Sequence, residues 1–108
     1  MNGLKIAWTE EFNFKVQVVA AILAIFLGWF FEISRTEWTL VIAMIGFVLA
    51  AEAFNTAIEI DMDLTSPEYH PYAKDTKDVA AGAVLLAALT ALIVGLFIFS
   101  PYMLGMLK

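Results

Sequence analysis

The sequence predicts an all-α integral membrane protein, with three transmembrane helices and a short N-terminal interfacial helix before them. Three observations predict it. Hydrophobic residues make up 62% of the 108, against roughly 45–50% in soluble domains, and a soluble chain this short buries only about 60–70% of its unfolded surface. The apolar residues gather into three runs near the roughly 20 residues that a helix needs to cross a bilayer. Such runs are too long for barrel strands, and in lipid every backbone polar group must be satisfied internally, which leaves helices.

Residues 1–15 are the interfacial piece. Leu4, Ala7, Trp8, Glu11 and Lys15 recur at three- and four-residue spacing, a mixed apolar and aromatic face suited to a membrane surface. Glu10 and Glu11, and the lack of a small-residue cleavage site, argue against a removable signal, so the segment reads as part of the mature protein. The first span covers 16–33, interrupted only by Gln17 and Glu32. EISRTE, residues 32–37, is short enough to force an antiparallel hairpin with the second span, 38–60. Residues 61–78 are polar and hold Pro67 and Pro71, which are expected to break any helix there. Asp75 or Thr76 then offers an N-cap for the third span, 79–107, whose end Pro101 is expected to kink or fray. The chain reads as a single membrane domain. Lys5, Lys15, Lys74 and Lys77 against Arg35 and Lys108 put the N-terminus and the 61–78 loop on the cytoplasmic side.

Composition excludes several functions. There is no cysteine, so neither a disulfide framework nor a thiolate metal site exists. A net charge of −5 leaves no basic stripe for nucleic acid. No glycine stands in a phosphate-loop frame.

The informative stretch is AAEAFNTAIEIDMD, residues 50–63, which carries acidic groups out of an apolar run. At about 100° per residue, Glu52, Glu59 and Asp63 fall within about 20° of one line, with Asn55 beside them and Asp61 pointing elsewhere. Intramembrane carboxylates are costly and normally face a protein interior or a wet cavity. Glu52, about two turns deeper than Glu59, is the hardest to read as passive. Asn55 alone would read as a helix–helix hydrogen bond. Lys74, Lys77 and Asp78 precede the third span, where anchoring at headgroups is the plain reading. Glu11 and Lys15, four apart, could by themselves be a surface ion pair.

These residues resemble a known family. E-x-x-N-T-A-I-E at Glu52–Glu59, then Asp63, His70 and AKDTKDVAAGAV, are similar to the prokaryotic diacylglycerol kinases, small trimeric membrane enzymes with three transmembrane helices per chain. HPYAKDTKDVAAGAV and NTAIE look closest to the branch that phosphorylates undecaprenol. The resemblance implies roles. Glu52 matches the catalytic base and Asn55 the asparagine beside it. Glu11 and Glu59 match the pair that holds divalent metal. Lys77 and Asp78 match the pair that contacts nucleotide phosphates and supports the site. Asp63 and Lys74 join the nucleotide-binding set. Lys15 stands where the family often has arginine, and loses its bidentate fork; Gln17 stands where it often has glutamate. Asn2 to Trp8 would form a shortened nucleotide lid.

Under this reading Mg²⁺ and ATP are the cofactor and donor, and the acceptor is a membrane lipid alcohol, undecaprenol first and diacylglycerol second. Phosphoryl transfer needs positioning, charge neutralisation and a base near the attacking hydroxyl, and the deep Glu52 can meet a hydroxyl that never leaves the bilayer. One chain of three helices scarcely encloses such a site, so a homotrimer in the bacterial inner membrane, with sites between protomers, is expected. A small channel or proton-pathway subunit also explains the acidic stripe, as an ion track, but leaves Glu11, Lys74, Lys77 and Asp78 unused. A structural subunit without activity is the third reading. His70 reads first as a local hydrogen-bond partner.

Overall fold

A computed structural model describes residues 12–68 and 70–107 of the chain. They form three helices in sequence order: α1 Phe12–Phe31, α2 Arg35–Thr65 and α3 Pro71–Met106. Each is long and apolar enough to cross a membrane. At 1.5 Å per residue, α2 and α3 run for about 46 and 54 Å, well beyond a bilayer core of about 30 Å. The α2 C-terminus and the α3 N-terminus, joined by residues 66–70, carry the charged residues Asp61, Asp63, Lys74 and Lys77, so this is the end suited to project from the apolar layer. The expected interfacial helix lies outside the described residues as far as residue 11; residues 12–15 belong to α1.

The α1–α2 connection is shorter than residues 32–37. Glu32 takes a left-handed conformation with φ 51. Its N–H donates to the Trp29 carbonyl at 3.3 Å, and the Ile33 N–H donates to the Gly28 carbonyl at 3.1 Å. This is the Schellman pattern that satisfies the last carbonyls of a helix, here with glutamate where glycine is usual. Ser34 then caps α2. Its Oγ accepts the Glu37 N–H at 3.1 Å, while Glu37 Oε1 accepts the Ser34 N–H at 2.9 Å, a reciprocal capping box. Nothing after Arg35 opposes helix, so α2 begins before the apolar run does.

The second connection departs most from expectation. Residues 61–65 continue α2, which ends only where Pro67 forbids more, with the Ser66 N–H bonded to the Met62 carbonyl at 2.8 Å. Pro71 does not break a helix but starts one. At the first helical position its fixed φ suits the helix and its missing N–H is not needed. His70 is the cap, not Asp75 or Thr76, and Thr76 lies inside α3 with its hydroxyl donating to the Tyr72 carbonyl at 2.8 Å. The expected 61–78 loop thus shrinks to residues 66–70. At the far end, α3 passes through Pro101 and continues to Met106.

α3 packs along α2, α1 packs less extensively on α2, and α1 barely meets α3. Ile33, Val41, Ile98 and Phe99 form the core at the hairpin end, with Phe31 and Trp38 against them. The Phe31 and Tyr102 rings stack at 5.6 Å, and the Tyr102 hydroxyl donates to Glu37, tying the end of α3 to the start of α2. At Gly28 a Cβ would come within 2.7 Å of the Trp38 ring, so glycine permits the close α1–α2 approach. Val48, Ala80, Val84 and Ala87 continue the buried seam towards the projecting end. Large apolar residues such as Trp29, Phe54 and Phe97 face outward, as a lipid-exposed surface allows.

Candidate active site

The acidic stripe lies on one continuous helix, because α2 runs unbroken from Arg35 to Thr65. Burial falls steadily along it. Glu52 is 0% exposed and Asn55 6%, Glu59 is half-buried, and Asp63 is exposed. Asp61, off the line, is exposed as well. Both Glu52 carboxylate oxygens, and Asn55 Oδ1, are buried with no hydrogen-bond partner among the described residues. Asn55 Nδ2 donates to Glu59 Oε1 in a long bond of 3.4 Å, which leans the carboxylate one turn further out towards the amide. A buried polar group without a partner costs about 1–3 kcal/mol, and here three such oxygen atoms, on two side chains, lie within one turn.

Thr56, 4% exposed, was missed in the sequence. Its hydroxyl donates to the Glu52 carbonyl at 3.1 Å and fills the flank of that turn. Its position four residues after Glu52 was the available signal, since threonine commonly bonds back one turn.

α3 brings the basic groups. Lys77 Nζ reaches across to Asp63 Oδ1 at 2.6 Å, the ion pair that joins the two helices. Lys74 Nζ pairs with Asp78 Oδ2 at 2.7 Å along α3 itself, both side chains well exposed. Asp78 is therefore satisfied at the helix surface, whereas Glu52 is enclosed. Lys15 is half-buried in the first turn of α1, and Gln17, also half-buried, lines an apolar cavity of about 420 Å³ among the three helices. Glu11 lies outside the described residues. A second cleft of about 670 Å³ opens between α2 and α3, with Asn55, Phe54 and Ile58 on one wall and Thr76, Val79 and Ala80 on the other.

Among the described residues no three carboxylate or histidine groups gather into a cage. Mg²⁺ does not require one: it usually takes one or two carboxylates, with phosphate oxygens and water completing the shell. Glu59, half-exposed and oriented by Asn55, fits that use.

The prokaryotic diacylglycerol kinase family model matches residues 1–99. The chain belongs to the prokaryotic diacylglycerol kinase family. Its relatives include the undecaprenol kinase of Bacillus subtilis (strain 168), 42% identical over 84% of this chain and 74% of that protein. The diacylglycerol kinase of Helicobacter pylori (strain J99) is 37% identical over 95% of this chain and 77% of that one. The diacylglycerol kinase of Escherichia coli (strain K12) is 33% identical over 85% and 75%. The resemblance read in the sequence is thereby shown. As a member of this diacylglycerol kinase family the chain is a lipid kinase, an activity that implies ATP as phosphoryl donor.

Proposed function

We propose that the protein transfers the γ-phosphate of ATP to the hydroxyl of a membrane lipid alcohol, undecaprenol first and diacylglycerol as the alternative. One observation carries the mechanism: Glu52 is wholly buried within the apolar part of α2 with both carboxylate oxygens unpartnered among the described residues, one turn from the Asn55–Glu59 pair. A carboxylate at this depth serves a hydroxyl that stays in the bilayer, the acceptor displacing the side chains that cover it. As the acceptor oxygen attacks Pγ, Glu52 takes the hydroxyl proton, the new O–Pγ bond forms, the bond to the β-phosphate oxygen breaks, and ADP leaves.

The other residues serve the nucleotide. Glu59, with Glu11, would hold Mg²⁺, which neutralises phosphate charge when bound. Asn55 orients Glu59 through its amide. Lys77 exchanges Asp63 for phosphate oxygens, and Asp63 guides it there. Lys74 and Lys15 add positive charge at the mouth, and Asp78 steers Lys74. The projecting ends of α2 and α3 face the cytoplasm, where ATP is, and the protein resides in the bacterial inner membrane.

Undecaprenol comes first because the relative of that name shares 42% identity, against 37% and 33% for the two named diacylglycerol kinases. The test is purified protein with ATP and Mg²⁺, offered each lipid separately, with Glu52→Gln as control. Faster turnover of diacylglycerol would reverse the order of acceptors; proton or ion flux without ATP consumption would replace the kinase by a channel.

A homotrimer remains part of the proposal. Enclosure no longer argues for it, because one chain already buries Glu52. The open α2–α3 cleft, bordered by outward-facing Phe54, Tyr72 and Val79, supports it. Mixing Glu52→Gln chains with Lys77→Ala chains restores activity if sites are shared between protomers, and restores none if each chain works alone.

A further inference from the structure

We propose that His70 is a positioning residue for the lysines of α3, acting through the cap it places on that helix. The proposal rests on the reading of Lys74 and Lys77 as phosphate contacts. His70 has extended backbone angles and stands directly before Pro71. Its Nδ1 accepts the Tyr72 N–H at 3.2 Å, and its carbonyl accepts the Lys74 N–H at 3.0 Å. The imidazole leans on the Tyr72 ring, centroids 5.5 Å apart. Pro71 lacks an N–H, so these bonds fix the opening of α3 up to Lys74 itself. Lys77 follows one turn later, and its reach to Asp63 depends on that turn being helical.

A histidine caps a helix only while Nδ1 carries a lone pair. A second proton turns that nitrogen into a donor and removes the acceptor that the cap needs. Serine, threonine, aspartate or asparagine would cap without this sensitivity. The device therefore holds the lysines in place only while Nδ1 accepts the Tyr72 N–H. Among the described residues, the other charged groups towards this end of the molecule are Lys15 on α1, Glu59, Asp61 and Asp63 on α2, Glu68 in the connection, and Lys74, Asp75, Lys77 and Asp78 on α3. Asp63 is engaged by Lys77 and Asp78 by Lys74.

The experiment measures KM for ATP and kcat of the full chain in lipid vesicles, from about pH 8 to about pH 5, the interval over which histidine side chains change charge. Wild type is compared with His70→Asn and His70→Ala. At the alkaline end, loss of the cap in His70→Ala should raise KM by about three- to tenfold with kcat within about twofold, while His70→Asn stays near wild type. At the acid end the wild-type KM should climb towards that of His70→Ala, and the ratio of wild type to His70→Asn should rise with it. Wild-type KM in His70→Ala at every pH overturns the proposal, as does a pH response in His70→Asn equal to that of wild type. Should His70→Ala fail to fold, amide exchange at residues 72–76 decides between wild type and His70→Asn: faster acid-side opening only in wild type supports the cap, and equal opening refutes it. Wild-type protein that transfers no phosphoryl group would remove the kinase reading itself, an outcome distinct from a working enzyme indifferent to residue 70.

Discussion

Replacing Glu52 separates what the residue does for the fold from what it does for the reaction. The carboxyl group is 0% exposed and neither oxygen has a partner among the described residues. Leaving such a group buried costs about 1–3 kcal/mol. Glu52→Leu removes that cost and keeps a side chain of similar bulk against Val48 and Thr56, one turn to either side. The protein should therefore gain about 1–3 kcal/mol of stability. It should also lose transfer, because a general base contributes about 10²- to 10⁴-fold. Glu52→Gln keeps the shape and gains two N–H donors, so its activity should fall by the same factor with a smaller change in stability. The assay pairs equilibrium unfolding in mixed micelles, followed by tryptophan fluorescence, with radiolabelled phosphate transfer to undecaprenol at saturating ATP. A Glu52→Leu chain less stable than its parent would show that the carboxyl is held by partners the apolar environment conceals. A Glu52→Gln chain at the parental rate would remove Glu52 from the chemistry altogether.

Three further outcomes follow from named contacts. Lys77→Ala should raise KM for ATP about tenfold, of the order expected when one charge-assisted phosphate contact is removed, while leaving thermal stability unchanged, because the Lys77–Asp63 pair is solvent-exposed and such pairs contribute little; a fall in melting temperature with unchanged KM would make it a structural clasp. Gly28→Ala should destabilise the α1–α2 hairpin by about 1–3 kcal/mol, since the new Cβ would sit 2.7 Å from the Trp38 ring, and trimming the ring in Gly28→Ala/Trp38→Leu should recover part of that loss in the same unfolding assay. Glu32→Gly should stabilise by about 1 kcal/mol, because glycine occupies the left-handed end of a Schellman turn without the Cβ penalty that Glu32 bears at φ 51; a less stable variant would mean that the glutamate side chain itself holds the turn.

The three helices were legible because hydrophobic run length is a strong signal, and the line of Glu52, Asn55, Glu59 and Asp63 followed from helical geometry alone. Helix ends were less legible, for a specific reason. Pro71 was read by its power to interrupt a helix, but a proline one residue past a capping side chain starts one, and only the three-dimensional course of residues 66–70 distinguishes the two. Asp61–Thr65 carry enough charge to look like loop, yet charge is no barrier to a helix that has left the apolar layer. The Glu37–Tyr102 bond joins residues 65 apart in sequence and has no local signature. The enclosure of Glu52 by a single chain was also hidden, since sequence shows which residues share a face but not how closely neighbouring helices cover it.

The length of α3 has a mechanical consequence. A stiff rod of about 54 Å anchored in a layer about 30 Å thick answers a thinner or thicker bilayer by leaning, and a lean of about 20° lowers its tip by about 3 Å. Because α3 packs along α2, the two lean together, and the ammonium groups and the deep carboxylate change height in the bilayer as one unit. Membrane thickness thereby sets the depth at which the whole site meets its lipid acceptor, so turnover should vary with the chain length of the host lipid even when the acceptor is unchanged.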